Sequence, residues 1–215
     1  MKTFVIAELG SSWICSDTPE KNFKHALKLM GIAARAGANV CKMQWVSDPR
    51  AMANRRKMKG NPYQSLSWPL AWHAVFAEEA HRLNMEYICT VFLPCDVETL
   101  LPFVDRFKVA SLEGGSNSLI DACDASGKLF IASNGCLEFD RMPESMRETS
   151  LHCVAAYPAP ASEMNLLAMK RSTRGLSDHS GHVLTGAFAV CCGADIIEVH
   201  CRLNETPREN PDYPH

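Results

Sequence analysis

The chain has 215 residues, of which 47% are hydrophobic, and its formal net charge at pH 7 is −2. A chain of this length and hydrophobic content can bury one substantial core, so we expect a single domain over residues 1–215. The near-neutral charge excludes a broadly basic surface of the kind that binds the backbone of nucleic acids.

The ten cysteines occur singly, mostly inside apolar runs, or as the pair Cys191-Cys192, without the C-x-x-C spacing of a metal or redox motif. This pattern is typical of small buried side chains in a reducing compartment. The N-terminal residues pass directly into a strand-like run without a signal-peptide pattern, and no apolar run reaches the length of a membrane span. We therefore expect a cytoplasmic protein with neither a membrane nor a nucleic acid as its partner.

Strand-like and helix-like patterns alternate along the chain. The strand-like runs are short and apolar, and the helix-like runs have apolar residues at helical spacing. In chain order the predicted elements are strand 4–9, helix 20–36, strand 39–45, a polar excursion with Pro and Gly over 48–67, helix 70–83, strand 87–92, helix 97–103, strand 106–111, helix 118–125, strand 129–133, an irregular stretch over 136–149, strand 151–155, helix 163–170, strand 175–178, helix 183–192 and strand 195–200. The alternation favours parallel strands joined by crossover connections.

Eight such strand units are the number that closes a (β/α)8 TIM barrel, which is the fold we predict. The barrel is expected to be compact. Residues 201–215 are polar and rich in Pro and carry no clear helical pattern. We therefore expect the last helix of the barrel to be missing or supplied by another chain.

Polar, chemically capable residues follow the predicted strands, at the end where TIM barrels carry their active sites. They are Glu8, Lys42, Gln44, Thr90, Lys108, Ser111, Glu113, Ser133, Tyr157, His179 and His200. His179 and His200 follow the last two strands, and two neighbouring neutral imidazoles form half of a divalent-metal site. The sequence therefore predicts a metal enzyme.

Other groups of residues are expected to have no role in this site. The basic cluster at residues 55–59 lies in the polar excursion and is typical of a solvated loop. His25, His73 and His81 lie on predicted helices, where we expect them at the surface. His152 lies inside the sixth strand and is expected to be a hydrogen-bonded core residue.

The segments at the strand ends resemble those of the sialic acid synthase family, the phosphoenolpyruvate-dependent synthases of N-acetylneuraminate and related nonulosonates. The matching segments are Ile6-Ala7-Glu8-Leu9-Gly10, Lys42-Met43-Gln44, Thr90-Val91-Phe92, the run Phe107 to Glu113, Ser133-Asn134-Gly135, Leu151-His152-Cys153, Tyr157-Pro158-Ala159-Pro160, Ser177-Asp178-His179-Ser180, Glu198-Val199-His200 and Pro211-Asp212. Because they occur in order along about the whole chain, they are more specific together than any one motif.

The resemblance implies a role for each strand-end residue. His179 and His200 match the ligands of a divalent metal ion, Mn²⁺ or Mg²⁺. The residues that match the phosphoenolpyruvate site are Lys42, Thr90, Lys108, Ser111, Ser133 and Ser177, and those that match contacts to an acceptor sugar are Gln44, Tyr157 and Asp212. Glu113 and Glu8 are candidate bases, and with Lys42 and Lys108 they form the expected catalytic set.

The implied reaction is a metal-dependent condensation of phosphoenolpyruvate with an acyl-amino sugar aldehyde, similar to N-acetylmannosamine, which gives a nonulosonic acid and phosphate. In it C3 of phosphoenolpyruvate attacks the aldehyde carbon, water adds to C2, and phosphate leaves. Two alternatives stay open. One is a non-catalytic barrel that binds an anionic metabolite or serves as a partner subunit, and the other is the same chemistry on a different aldehyde.

Some features depart from the family pattern. Ser11-Ser12-Trp13 stands where an Asn- or His-containing turn is usual, Ala155 stands where an Asn or Ser often binds phosphoenolpyruvate, and Asn134 replaces a usual Thr. The family's antifreeze-like C-terminal domain has no counterpart in the 215 residues. We therefore expect a homo-oligomer, or a separate completing chain, at the acceptor site.

Overall fold

The computed structural model describes residues 3–136, 149–171 and 173–210. Eight parallel strands form a closed barrel in chain order, and β8 pairs with β1. The strands are β1 (Phe4–Gly10), β2 (Val40–Gln44), β3 (Glu86–Val91), β4 (Arg106–Val109), β5 (Phe130–Ser133), β6 (Ser150–His152), β7 (Gly175–Asp178) and β8 (Ile196–His200). The predicted (β/α)8 barrel is confirmed.

Helices cover the outside of the barrel. They are α1 (Pro19–Arg35), α2 (Pro49–Arg55), α3 (Ala71–Arg82), α4 (Pro94–Leu100), α5 (Asn117–Ala125) and α6 (Thr185–Cys191), with 3₁₀ segments at Gln64–Leu66, Ala161–Glu163 and Leu166–Arg171. None of the described helices is long and apolar enough to cross a membrane.

Two connections differ from the sequence expectation. The polar excursion contains α2, whose N-cap Asp48 accepts hydrogen bonds from the backbone N–H groups of Arg50 and Ala51. Asp48 followed by Pro49 is a helix-start signal, so this helix was predictable. The helix predicted over 163–170 is wrong, because that stretch forms two short 3₁₀ segments instead. Most of the irregular stretch predicted over 136–149 lies outside the described residues.

The interior of the barrel explains why the polar residues converge. Ile6, Val40, Ile88, Ile131 and Leu151 pack together inside it as one apolar layer. Side chains alternate between the two faces of a strand, so the residue two positions later faces the same interior one layer higher. The residues that follow the first four of these by two positions are Glu8, Lys42, Thr90 and Ser133. An apolar floor therefore supports a polar layer at the C-terminal end of the strands.

The histidines on the helices correct one expectation. His25 and His73 are buried, and His73 Nδ1 lies 2.8 Å from the hydroxyl oxygen of Tyr87. The surface prediction is therefore wrong for both His25 and His73, and His73 belongs to the face of α3 that packs against the barrel. His81 does lie at the surface, where it pairs with Asp105.

Candidate active site

The C-terminal ends of the strands enclose a cavity of about 320 Å³. Every site residue predicted from the sequence lines it except Asp212, which lies outside the described residues. The predicted residues that line the cavity are Glu8, Lys42, Gln44, Thr90, Lys108, Ser111, Glu113, Ser133, Tyr157, Ser177, His179 and His200. The fold thus brings together side chains that come from all eight strands or directly follow them.

Lys42 is buried in β2 and contacts side chains from both neighbouring strands. Its Nζ forms an ion pair with Glu8 of β1 and donates to Thr90 Oγ1 of β3 at 3.0 Å. The strand register places Glu8 directly opposite Lys42. Gln44 Nε2 donates to Glu8 Oε1 at 3.1 Å, so the carboxylate is itself held in place.

Lys108 has an equivalent position in β4. Its Nζ donates to Ser133 Oγ at 2.7 Å and to the Val109 carbonyl oxygen at 3.2 Å. It also lies 3.8 Å from Glu198 Oε2, while Lys42 Nζ lies 3.5 Å from Glu198 Oε1. Both ammonium groups therefore converge on one carboxylate.

Glu198 is the site residue that the sequence analysis missed. It is buried, and its Oε1 accepts a hydrogen bond from Ser177 Oγ at 2.9 Å. Burial by itself raises the pKa of Glu198, but the charges of Lys108 and Lys42 outweigh that effect and hold the pKa below its ordinary value. Strand alternation could have found this residue, because it lies two positions before His200 and so faces the same interior.

The inner layer of the cavity carries balanced charge. Burial lowers the pKa of Lys42 while Glu198 opposes that change, and Glu8 and Glu198 together match Lys42 and Lys108. An entering anion meets two ammonium groups and several hydroxyl donors at short range. It also adds negative charge that the existing pairs do not offset, which favours an anion that binds together with a cation.

The imidazoles of His179 and His200 lie side by side, with ring centroids 5.6 Å apart. His179 Nδ1 donates to the Val154 carbonyl oxygen at 2.7 Å, so the lone pair of this ring is on Nε2. That nitrogen lies 3.1 Å from the Tyr157 hydroxyl oxygen and 3.3 Å from Ser177 Oγ. The Tyr157 ring stacks on His179 at 4.1 Å.

This donor set fits a divalent metal ion with an open coordination sphere. A hydrogen bond from Nδ1 to a backbone carbonyl is the usual way in which a ligating imidazole is oriented. Within residues 3–136, 149–171 and 173–210, His, Cys, Asp and Glu side chains form no group of three placed to hold one ion. An ion held by the two imidazoles would keep further coordination positions open to water or substrate.

Glu113 follows β4 and is buried at the cavity wall, where it forms an ion pair with Arg56 Nη2. Burial raises the pKa of Glu113, and the Arg56 guanidinium opposes that shift. The interpretation of residues 55–59 as a solvated loop is therefore wrong for Arg56. Its contact joins residues 57 positions apart in the sequence, and no local pattern indicates it.

Apolar side chains form part of the cavity wall and were not identified from the sequence. They are Tyr63, Leu66, Phe92 and Leu112. The Tyr63 and Phe92 rings pack edge to face at 5.8 Å. Two of these residues come from the polar excursion, whose composition gives no sign that it reaches the cavity.

The unusual turn Ser11-Ser12-Trp13 anchors the chain that follows β8. Asn210 Nδ2 donates to the Ser11 carbonyl oxygen at 2.8 Å, and Thr206 Oγ1 donates to the Ser12 carbonyl oxygen at 3.1 Å. The turn thus fixes residue 210, two positions before Asp212, beside the end of β1.

Comparisons with known proteins agree with this architecture. The chain is 29% identical over 234 residues to pseudaminic acid synthase of Campylobacter jejuni, covering 95% of this chain and 66% of that protein. It is 31% identical over 166 residues to pseudaminic acid synthase of Helicobacter pylori, covering 70% of this chain and 48% of that protein. The chain therefore spans about two thirds, or less, of the length of these relatives.

A solved structure shares the fold. The N-acetylneuraminic acid synthetase of Leptospira borgpetersenii, crystallised with citrate, superposes with a TM-score of 0.79 at 23% identity, covering 100% of this chain and 80% of that one. The family model described as the NeuB family matches residues 29–215. The resemblance seen in the strand-end segments is thereby confirmed, and the chain belongs to the NeuB family.

Proposed function

We propose that this protein condenses phosphoenolpyruvate with an acyl-amino sugar aldehyde to give a nonulosonic acid and phosphate. The observation that carries the proposal is the convergence of Lys42 and Lys108 in a buried, charge-balanced layer beside the imidazoles of His179 and His200. The names of the relatives, which are synthases of pseudaminic, legionaminic and N-acetylneuraminic acids, support the same chemistry.

Phosphoenolpyruvate carries a phosphate and a carboxylate on one small carbon frame, so it needs several cationic and hydroxyl donors within a short distance. Lys42 and Lys108 supply the ammonium groups. The hydroxyl donors around them are Thr90, Ser111, Ser133 and Ser177. The present partners of the two ammonium groups, Thr90 Oγ1 and Ser133 Oγ, hold them at the cavity wall before the anion binds.

We infer that His179 and His200 hold a divalent ion, Mn²⁺ or Mg²⁺. When bound, the ion polarises the aldehyde oxygen of the acceptor, which makes the carbonyl carbon electrophilic. The hydrogen bond from His179 Nδ1 to Val154 fixes the ring so that Nε2 faces the cavity.

We assign the acceptor a position between the imidazole pair and the opening of the cavity. Gln44 and Tyr157 are the described residues that we assign to its hydroxyl groups, and Asp212 follows two positions after the anchored Asn210. The apolar part of the cavity wall, which includes Tyr63 and Phe92, can pack against the methyl group of an acyl substituent.

The bond changes balance with one water molecule. C3 of phosphoenolpyruvate forms a bond to the aldehyde carbon, whose oxygen becomes a hydroxyl group, and electron deficiency develops at C2. The oxygen of water adds to C2 and a nearby carboxylate, Glu113 or Glu8, accepts its proton. The C2–O bond to phosphate then breaks and the C2 hydroxyl loses the second proton of the water, which leaves a 2-keto acid. Of the two protons of the water, one ends on the hydroxyl group formed from the aldehyde and the other on phosphate. Lys42 and Lys108 stabilise the charge on the departing phosphate.

The test is phosphate release from phosphoenolpyruvate with Mn²⁺ and a panel of acyl-amino sugars, simple hexoses and pentoses. We expect release that requires one acyl-amino sugar and is lost in the His179→Ala, His200→Ala double variant. Release with a simple sugar instead would identify a different aldehyde acceptor. Calorimetric binding of phosphoenolpyruvate without release for any sugar would replace the enzyme by an anion-binding barrel or partner subunit.

We further propose that the protein is a cytoplasmic single-domain barrel that assembles with a second copy or with a separate chain. Exposed apolar side chains on and before α6, among them Val183 and Phe188, support association at this flank. Sedimentation at increasing protein concentration tests it.

A further inference from the structure

Residues 45–68 connect β2 to α3 and reach one side of the cavity, and we call them the mouth segment. Its two ends are tied together by reciprocal hydrogen bonds. Trp45 Nε1 donates to the Trp68 carbonyl oxygen at 2.9 Å, and Trp68 Nε1 donates to the Gln44 carbonyl oxygen at 3.1 Å. The backbone N–H of Val46 also donates to the Leu66 carbonyl oxygen at 3.2 Å. The mouth segment is therefore closed at its base.

The middle of the mouth segment is packed against the end of β3. Val46, Met52 and Leu66 form an apolar cluster with Phe92. Arg55 Nη1 donates to the Phe92 carbonyl oxygen at 3.1 Å. These contacts fix the C-terminal end of α2, and the next residue in the chain is Arg56.

Arg56 reaches from the end of α2 to Glu113, where its Nη2 donates to Oε1 of the carboxylate. Glu113 is 2% exposed and lines the cavity, whereas Arg56 is not among the described cavity-lining residues. Arg56 therefore contacts the member of the pair that lines the cavity. It can act on a substrate through Glu113 rather than by direct contact.

Glu113 differs from the other two carboxylates of the cavity. Glu8 and Glu198 each face buried ammonium groups, and the lysine charges hold the pKa of Glu198 low despite its burial. Glu198 therefore stays ionised and is a weak proton acceptor. Burial instead raises the pKa of Glu113 toward the range in which a group can accept and return a proton.

The groups that face Glu113 set how far that shift goes. Arg56, Arg55 and Lys108 each favour the ionised form, and Arg56 makes the direct contact. The Tyr63 phenol lies beside the pair, and burial and the Glu113 charge raise its pKa, so it stays neutral. Arg56 is thus the principal charge that keeps this buried carboxylate ionised.

We propose that Arg56 is a positioning residue for Glu113: it fixes the buried carboxylate and keeps it ionised, so that Glu113 accepts the proton of the water that adds to C2 of phosphoenolpyruvate. The inference rests on the proposed condensation. The water oxygen bonds to C2, its proton passes to Glu113, and the proton leaves with phosphate when the C2–O bond breaks. Through Arg56, the mouth segment thereby fixes the position of the reactive carboxylate.

The first test needs no activity. The full chain, with ¹³C at the glutamate side-chain carboxyls, is titrated by NMR, and the Glu113 signal is assigned by its loss in Glu113→Gln. We expect Arg56→Met to raise the titration midpoint of Glu113 by about one pH unit or more. Arg56→Lys should return the Glu113 midpoint most of the way to its wild-type value. Lys59→Met removes the charge of an exposed lysine and should leave the Glu113 midpoint unchanged. An unchanged midpoint in Arg56→Met overturns the inference even if the enzyme is active.

The second test uses the condensation itself. In Arg56→Met, the acidic limb of the plot of kcat against pH should move to higher pH. Below the new midpoint, kcat should be about tenfold lower than in the wild type, and KM for phosphoenolpyruvate should be nearly unchanged. Arg56→Met should have no further effect on kcat in the Glu113→Gln background. A rise in KM alone, or full additivity of the two substitutions, would assign Arg56 a merely structural role. Absence of turnover in the wild-type protein would refute the proposed function, while the NMR midpoint still decides the Arg56–Glu113 relation.

Discussion

The two halves of the barrel are built differently. Strands β1 to β5 are covered by α1, α3, α4 and α5, and their outer faces join one large apolar core. Among residues 149–171 and 173–210, strands β6 to β8 are covered by 3₁₀ segments and the seven-residue α6, over a smaller core. The first half carries the two lysines, and the second carries the imidazole pair and Tyr157.

The difference shows two ways of holding a functional side chain. A buried ammonium group needs carboxylate and hydroxyl partners at fixed distances, and the well-covered first half keeps those strands in register. An imidazole is instead oriented by one hydrogen bond from its far nitrogen, which His179 makes to a backbone carbonyl.

The largest effect is expected in the first half, from Lys42→Met. The substitution leaves Glu8 buried without its ammonium partner, which should cost about 3–5 kcal/mol of unfolding free energy. Binding of phosphoenolpyruvate should also be lost. The Lys42→Met, Glu8→Gln double variant should recover most of the stability without the binding, as measured by urea unfolding and calorimetry. Recovery of both would mean that Lys42 serves only the fold.

In the second half, the largest effect on stability is expected from Gly175→Ala. A Cβ at this position would lie 1.9 Å from the Ile196 carbonyl oxygen, so β7 and β8 would have to move apart. We expect a loss of about 3 kcal/mol, measured by chemical unfolding. Gly31→Ala is the matched control, because its nearest neighbour is the end of the Arg35 side chain at 3.5 Å, and it should slightly stabilise α1.

Part of the site could be predicted from the sequence. Glu8, Lys42, Thr90 and Ser133 were predicted because a polar residue that closes an apolar run is a local pattern, and strand alternation above the apolar floor explains why all four face the cavity. The same rule applied to β8 would have included Glu198. Glu198 was part of the matching segment Glu198-Val199-His200, but only His200 was given a role, so the carboxylate between the two lysines was not predicted as a site residue.

Contacts made by connecting segments could not be predicted in this way. The Arg56–Glu113 pair depends on how α2 packs against the end of β3, which no periodicity records. The burial of His73 likewise depends on which face of α3 meets the barrel. The helix expected over 163–170 failed for the opposite reason, since a helical pattern was present but the chain formed two short 3₁₀ segments.

The pH dependence of stability should depend on His73, which is buried in the first half. Burial lowers its pKa to about 3, so between that value and the ordinary pKa the unfolded chain binds a proton that the folded chain does not. Stability should therefore fall as the pH drops below about 6.5, by roughly 1.4 kcal/mol per pH unit from this residue. Urea unfolding between pH 4.5 and 7 should show a smaller slope in His73→Phe.

A smaller effect is expected at Ser177 in the second half. Its Oγ donates to Glu198 at 2.9 Å and so links β7 to the carboxylate that both lysines face. Ser177→Ala should weaken binding of phosphoenolpyruvate by about tenfold, because one hydrogen bond to a charged group is removed. Ser118→Ala, which changes an exposed serine of α5, should bind normally in the same calorimetric titration. Equal affinities for all three proteins would show that this hydroxyl does not support the anion site.

The smallest effect on folding is expected at the exposed surface of α6 and the residues before it. The same substitutions should have a specific effect on assembly. Phe188 is 57% exposed on α6 and Val183 is 92% exposed just before it. Replacing both by Ser should change the unfolding free energy by less than about 0.5 kcal/mol, because neither side chain is buried in the isolated chain. If this flank meets a second copy, the double variant should sediment as a monomer at concentrations where the wild type does not. Val75→Ser, an exposed apolar site on α3, is the control, and equal loss of association there would place the contact elsewhere.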